Sequence, residues 1–206
     1  MTKSNVTIKR LTKQQMETVY NSHMRKDFPD NERKPLAMIL EGMDKGTYEC
    51  LGLFNSTPDL ENEPTVDDWE KYLLGYAIFV SQDKDYLFDY LAVTDGNRQN
   101  GAGTVFLEKL AEYYGEAHSV IGEVEDPDCS ENEQERILQT RRYDFYMRNG
   151  YVDTGVRVIL FGVHYRVIEL KLNETHTESR IKELYKKHYK AMLTKEKYDS
   201  MVTIKE

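Results

Sequence analysis

One run of sequence, residues 87–106, limits the possible folds of this chain more than any other. The apolar stretch Leu87–Val93 predicts a strand, which leads through a turn into Arg98-x-x-Gly101-x-Gly103 and an apolar helix pattern. A helix start exposes unpaired backbone N–H groups at the positive end of the helix dipole, and glycines let an anion approach them closely. The run therefore predicts a strand–turn–helix unit that binds a phosphate or pyrophosphate.

A second pattern, Phe145–Tyr151, reads Phe-Tyr-Met-Arg-Asn-Gly-Tyr and predicts the end of a helix. Leu91–Val93 followed by Arg98–Gly103 resembles the acetyl-coenzyme A motif of the GNAT N-acetyltransferases. Phe145–Tyr151 resembles the second signature of that family, a helix that ends in Tyr-x-x-x-Gly-aromatic. Two matches in the family's order are more specific than either pattern alone, and with the flanking elements the resemblance covers about residues 5–172.

The resemblance implies the fold class, a mixed α/β (α+β) GNAT fold. Such a fold has a central, splayed, mostly antiparallel sheet of about seven strands with flanking helices. We assign residues 1–174 to this domain. Residues 175–206 carry a pattern of apolar residues at helical spacing, which predicts an additional C-terminal amphipathic helix over 178–197. That helix is expected to pack on the domain or to form a dimer interface.

Local signals predict where several other elements begin and end. Thr12-x-x-Gln15 and Ser130-x-x-Glu133 have the spacing of capping boxes, which begin helices. Residues 156–161 and 165–172 predict a closing hairpin. The acidic stretch 55–70 joins two strands that are expected to pair, and its length indicates either a functional lid or a solvated insertion.

Composition narrows the class of protein. The chain carries 36 Asp and Glu against 28 Lys and Arg, a net charge of −8, which argues against general nucleic-acid binding and favours a cationic acceptor. Two cysteines, Cys50 and Cys129, make no disulfide framework and indicate a reducing compartment. No apolar leader or membrane-spanning run is present in the sequence, so we expect a soluble, cytoplasmic protein.

The resemblance also implies how coenzyme A binds. The pantetheine is expected to lie along the strand of Leu91–Val93, and the pyrophosphate on the backbone amides of residues 98–104, with Arg98 adding a charge-assisted contact. The alternative is an ordinary β–α turn whose glycines only permit close packing. The candidate cofactor-binding residues are Leu91, Ala92, Val93, Arg98, Gln99, Asn100, Gly101, Ala102, Gly103 and Thr104.

Tyr146 occupies the position at which many family members carry the general acid. A free thiol has a pKa of ~8.5 and a phenol a pKa of ~10, so a nearby tyrosine is able to protonate the thiolate that leaves coenzyme A's thioester. The alternative role is that of a core aromatic residue with its hydroxyl capped.

Three carboxylates are candidates for the base that deprotonates the acceptor ammonium. Glu123 and Glu125 alternate along one predicted strand and therefore share a face. Asp89 stands where relatives of the family often place an acidic residue. Glu125 is the first choice because it lies nearest the end of its strand. The alternative is an edge or strand-end carboxylate in solvent, which is expected for at least one of the three, and spacing alone does not tell which.

No metal site is predicted. Glu123, Glu125, Asp126 and Asp128 lack the turn glycine and ligand ladder of a calcium loop, and the histidines have no metal-binding spacing. The implied function is an acetyl-coenzyme A-dependent N-acetyltransferase that acts by direct attack of a primary amine in a ternary complex. The acceptor is a small-molecule or protein amine, with no nucleic-acid or membrane partner and a possible homodimer. The alternative is a non-catalytic GNAT-like module that senses acyl-coenzyme A.

Overall fold

The computed structural model describes residues 6–30, 32–55, 69–98, 100–172 and 175–205. Two compact units are present, one formed by residues 6–80 and 89–113 and the other by residues 81–88 and 114–205. In chain order the elements are β1 (Val6–Arg10), α1 (Lys13–Val19), a π-helical segment (Tyr20–Met24), α2 (Arg25–Asp27), α3 (Leu36–Lys45), β2 (Tyr48–Asn55), a 3₁₀ turn (Trp69–Tyr72), β3 (Leu73–Gln82), β4 (Asp85–Val93), α4 (Ala102–Tyr113), β5 (Ser119–Glu125), a 3₁₀ turn (Pro127–Cys129), α5 (Glu133–Met147), β6 (Tyr151–Leu160), β7 (Val163–Leu170), α6 (Glu178–Met192), α7 (Lys195–Met201) and β8 (Val202–Ile204).

The strands of the described residues form an eight-stranded sheet in the order β1-β2-β3-β4-β5-β7-β6-β8. β1 with β2, β2 with β3, β5 with β7, and β6 with β7 and β8 are antiparallel, whereas β4 and β5 are parallel. The predicted fold class, a mostly antiparallel sheet with flanking helices, is confirmed. The sheet has one strand more than the expected seven because β8 comes from the tail.

The first unit follows its local sequence signals closely. Thr12 accepts a hydrogen bond from the Gln15 amide while Gln15 bonds back to the Thr12 amide, so the predicted capping box is present. The helical run that begins there ends at Phe28, whose backbone is extended. α3 ends at Gly46, whose left-handed φ of 71° is the conformation that glycine adopts readily. Residues 56–68, most of the acidic loop, lie outside the described residues.

The second unit contains the tail. α6 buries the predicted apolar stripe, whose fully covered members are Ile181, Leu184, Tyr185, His188 and Tyr189. The helix ends at Met192 rather than running to residue 197. α7 and β8 follow, and β8 pairs with β6 through Val158↔Ile204. The closing hairpin is confirmed, although its first strand begins earlier than predicted, at Tyr151.

The capping box predicted at Ser130 is wrong. Asn132 is the N-cap of α5, and its side chain accepts from the Glu135 amide at 2.9 Å. Glu135 in turn accepts from the Glu131 amide at 3.2 Å, so a second capping arrangement lies two positions further along the chain. The Ser130 hydroxyl instead donates to the Pro127 carbonyl at 2.8 Å.

Replacing this cap gives a stability prediction. Asn132→Ala is expected to lower the free energy of unfolding by ~1 kcal/mol because it leaves an α5 amide without its side-chain acceptor. For a chain of this size, such a loss lowers Tm by about 2–4 °C in a thermal melt. Asn132→Ser keeps an acceptor oxygen without placing a second carboxylate beside Glu135, to which the Asn132 amide donates, and is expected to retain most of the wild-type Tm. Equal losses in both variants would show that Asn132 does not stabilise α5 by capping it.

Candidate active site

The predicted phosphate turn contains two glycines in the left-handed conformation. Gly96 and Gly101 have φ values of 83° and 77°, and a Cβ added to either would meet nothing within 4 Å. α4 begins at Ala102, and the Val105 amide donates to the Gly101 carbonyl at 3.1 Å. The amides of the first helical turn precede this bond and have no intrahelical partner. A helix start of this kind, preceded by an open left-handed glycine, is a place where proteins commonly bind anions.

Arg98 links this turn to Asp27, the last residue of α2, by an ion pair. Its Nε donates to the Val93 carbonyl at 3.1 Å, and its terminal nitrogens pair with Asp27 and Asp95. The Asp27 side chain is only 6% exposed and also accepts from the Tyr76 hydroxyl at 2.7 Å. Since the Arg98 side chain is 52% exposed, it keeps N–H groups available for an anion while Asp27 and Val93 fix its direction.

The strand before the turn carries the predicted pantetheine segment. Pairing of β4 with β5 ends at Phe88↔Gly122, and β4 continues through Leu91–Val93, whose residues are half-buried. Asp89 is not a solvated carboxylate: its side chain is 7% exposed, forms an ion pair with Lys34 and accepts from the Tyr48 hydroxyl at 3.5 Å. Burial and the nearby Asp89 charge both raise the pKa of Tyr48, so this phenol stays protonated.

Tyr146 is a fixed and buried phenol in the second unit. Its ring stacks on Phe88 with centroids 5.4 Å apart and meets the Tyr151 ring edge-on at 5.3 Å. Phe88 has room for this stack because its partner position is Gly122, where an added Cβ would lie 1.9 Å from the Phe88 ring. The structure shows no hydrogen bond from the Tyr146 hydroxyl to the residues it describes. The described contacts therefore give no support to the alternative of a core aromatic residue with a capped hydroxyl.

The electrostatic surroundings of Tyr146 keep it in the acid form. Burial raises the pKa of Tyr146 well above its ordinary value of 10, and the positive charge of Arg142 opposes part of that rise. The Glu125 carboxylate raises the pKa further. A phenol in this setting holds its proton throughout the neutral range and is available there as a hydrogen-bond donor.

The two glutamates of β5 contact different helices. Glu125 forms an ion pair with Arg142 of α5, four residues before Tyr146. Glu123 accepts a hydrogen bond of 2.5 Å from the hydroxyl of Tyr189, a buried residue of α6. The tail helix therefore orients one candidate base, and the helix that carries the candidate acid orients the other.

The predicted site residues are divided between the two units. The first unit holds Asp89, the pantetheine segment and the phosphate turn, whereas the second holds Glu123, Glu125 and Tyr146. Gln99 lies outside the described residues. Sequence reasoning missed four residues that hold the candidate residues in place, namely Asp27, Phe88, Gly122 and Tyr189. Of these, Gly122 had a signal in the sequence, because a glycine inside a strand often marks the close approach of another group.

Three further features concern metal ligands, long helices and a cysteine in the described part of the chain. No group of histidine, cysteine and carboxylate side chains there has a metal-binding arrangement. No helix there is both long and apolar enough to cross a bilayer. Cys50 is buried and lies near Asp89 and Glu49, and burial raises the pKa of its thiol to about 12, which makes it unreactive.

No protein-family model and no curated protein sequence matches this chain. Its fold, however, matches many solved structures. A protein from Bacteroides thetaiotaomicron described as a GNAT-family acetyltransferase aligns at 17% identity and a TM-score of 0.62, over 90% of this chain and 97% of that one. This chain therefore has the fold of the GNAT acetyltransferases.

Two further structures share that fold and have more specific descriptions. The ribosomal-protein-S18-alanine N-acetyltransferase from Escherichia coli aligns at 15% identity and a TM-score of 0.54, over 84% of this chain and 97% of that one. An aminoglycoside 6'-N-acetyltransferase complexed with coenzyme A aligns at 15% identity and a TM-score of 0.50, over 82% of this chain and 98% of that one.

Proposed function

We propose that this protein is an acetyl-coenzyme A-dependent N-acetyltransferase that acetylates a primary amine by direct attack in a ternary complex. The observation that carries the proposal is Tyr146, a buried and ring-stacked phenol whose hydroxyl has no hydrogen bond among the described residues. A module that only binds acyl-coenzyme A has no need of such a proton donor. The fold and the open phosphate turn support the same proposal.

The phosphate turn is proposed to hold coenzyme A. Amides at the start of α4 bind the pyrophosphate, and Arg98, already aimed by Asp27, adds charge. The solved aminoglycoside 6'-N-acetyltransferase with coenzyme A bound has this fold and supports the assignment. Acetyl-coenzyme A supplies the activated acetyl thioester.

The protein's own groups then move protons. A carboxylate takes a proton from the acceptor ammonium, directly or through water, and the neutral amine attacks the thioester carbonyl. The new C–N bond forms as the C–S bond breaks, and Tyr146 gives its proton to the departing sulfur. The acylated nitrogen then loses its extra proton to solvent, and solvent returns a proton to the Tyr146 phenolate. Glu125 is the first choice for the base because its partner Arg142 lies on the same helix as Tyr146.

An amine panel tests the proposal directly. Purified protein is mixed with acetyl-coenzyme A and a series of polyamines, amino acids, aminoglycosides and peptide amines, and thiol release is measured. Release that depends on the amine, with an acetylated product of the expected mass, is the predicted result. Tight coenzyme A binding in calorimetry with no amine-dependent release would favour the sensor module instead.

Glu125→Gln tests the assignment of the base. The change removes the proton acceptor and preserves side-chain size, so we expect kcat to fall by about 10²-fold near neutral pH. The deficit shrinks as pH rises toward the pKa of the acceptor amine, ~10.4 for an amine like that of lysine, since the amine is then neutral without help. Full pH–rate profiles of the variant and the wild type provide the measurement.

Glu123→Gln and Asp89→Asn are the matched controls for this prediction. Each replaces one carboxylate by its amide, and in Glu123→Gln the new amide oxygen is still able to accept from the Tyr189 hydroxyl. Both are expected to change kcat by less than Glu125→Gln. A pH-dependent loss in Glu123→Gln with normal turnover in Glu125→Gln would transfer the role of base to Glu123.

A further inference from the structure

Arg33 is a buried guanidinium with unused hydrogen-bonding capacity. Its side chain is 9% exposed, and its Nε and Nη1 atoms are buried without a hydrogen-bond partner among the described residues. Nη2 pairs with Asp30, whose side chain is 94% exposed. Burying charged donors without an acceptor is unfavourable, so a position of this kind is expected to acquire an acceptor from a ligand.

The surroundings of Arg33 favour an anion. The Cζ atoms of Arg33 and Arg25 lie 5.8 Å and 6.0 Å from the centroid of the same aromatic ring, that of Tyr20. Arg25 is exposed and forms no ion pair with the residues described. Two guanidinium groups over one ring create a local positive potential despite the chain's net charge of −8.

The planar shape of the Arg33 guanidinium indicates which anion it is suited to bind. Nη1 and Nη2 of a guanidinium form a planar fork that matches the two oxygens of a carboxylate. Asp30 already occupies Nη2 with a carboxylate. Because its side chain is almost fully exposed, it is able to swing into solvent, and a ligand carboxylate could then bind both nitrogens.

The segment that carries Arg33 is fixed against β4. The Tyr90 hydroxyl donates to the Glu32 carbonyl at 2.7 Å and accepts from the Lys34 amide at 2.9 Å. Lys34 also pairs with Asp89. Tyr90 directly precedes Leu91, where the proposed pantetheine segment begins, so the segment that carries Arg33 is held against this part of β4.

We propose that Arg33 binds a carboxylate of the acceptor, and that the acceptor is therefore an amine that also carries a carboxylate. Asp30 acts as an internal competitor for the same guanidinium. This assignment rests on the proposed acetyl transfer and specifies its substrate class. Arg33 is a binding residue in this role and takes no part in moving protons.

Matched acceptor pairs test the assignment. Three ω-amino carboxylates of increasing length are each compared with their amides, which keep the amine and remove the negative charge, and KM is measured by thiol release. Wild type is expected to prefer the carboxylate of the best pair. Arg33→Met is expected to raise KM for that carboxylate by about tenfold or more and to leave KM for the amide unchanged.

Two further variants and one binding measurement separate the outcomes. Arg33→Lys keeps the positive charge but lacks the two-nitrogen fork, so its KM for the carboxylate is expected to lie between those of wild type and Arg33→Met. Asp30→Asn removes the internal competitor and is expected to lower KM for the carboxylate. Coenzyme A affinity measured by calorimetry is unchanged in all three. If Arg33→Met changes KM equally for the carboxylate and its amide, or changes neither, the proposed role of Arg33 is wrong while the acetyltransferase proposal stands. Absence of amine-dependent thiol release in wild type overturns the acetyltransferase proposal and, with it, this one.

Discussion

Tyr146→Phe is expected to lower kcat by about 10²–10⁴-fold while coenzyme A affinity stays at the wild-type value. The substitution removes one hydroxyl and retains the ring that stacks on Phe88 and meets Tyr151. The hydroxyl has no hydrogen bond among the described residues, so its loss breaks no structural bond shown there. Steady-state kinetics with the best acceptor of the amine panel measures the effect, and calorimetry with coenzyme A provides the binding control.

The pH–rate profile distinguishes an acid from a packing residue. Burial raises the pKa of Tyr146, so the wild-type enzyme keeps its acid protonated above neutral pH and its alkaline limb lies at high pH. If that limb reports the phenol, it moves or disappears in Tyr146→Phe. Tyr151→Phe is the matched control, because Tyr151 belongs to the same ring cluster and burial raises its pKa as well. Equal losses in the two variants, or wild-type turnover in Tyr146→Phe, would reduce Tyr146 to a packing role.

The parts of the fold that sequence predicted correctly depend on neighbours in the chain. The strand–turn–helix unit of β4, the glycine turn and α4 needs only an apolar strand, glycines with freedom at positive φ, and a helix start, all within one short run. The capping box of Thr12 and Gln15 was predicted correctly for the same reason, because its two residues are three positions apart. The Ser130 box was wrong because Asn132 and Glu135 offer an equivalent arrangement two positions later, and spacing alone does not rank two overlapping caps.

The parts that sequence did not predict depend on residues far apart in the chain. Arg98 meets Asp27 across 71 positions, and Tyr189 meets Glu123 across 66. Each pair brings together side chains from separate elements, so no local pattern in either element encodes it. The roles of the candidate catalytic and cofactor-binding residues remain predictions, since the fold positions these side chains without showing what they bind.

Gly101→Val is expected to reduce coenzyme A affinity below detection while the protein still unfolds cooperatively. Gly101 has a φ of 77°, and a left-handed conformation costs a side-chain-bearing residue ~1–2 kcal/mol, with β-branching adding to the penalty. That strain alone lowers the ratio of folded to unfolded protein by about 5–30-fold and leaves a folded population to bind coenzyme A. An added Cβ would project into space where nothing lies within 4 Å, and we propose that the pyrophosphate uses this space.

Gly46→Val is the control that separates strain from lost contact. Gly46 has a φ of 71° and equally open surroundings, but it ends α3 and has no proposed contact with coenzyme A. Both variants therefore carry similar backbone strain and are expected to show similar falls in Tm. Only Gly101→Val should lose the calorimetric signal for coenzyme A. Retained affinity in Gly101→Val would mean that the turn is an ordinary β–α connection, and a parallel loss in Gly46→Val would mean that general destabilisation, rather than the phosphate site, controls binding.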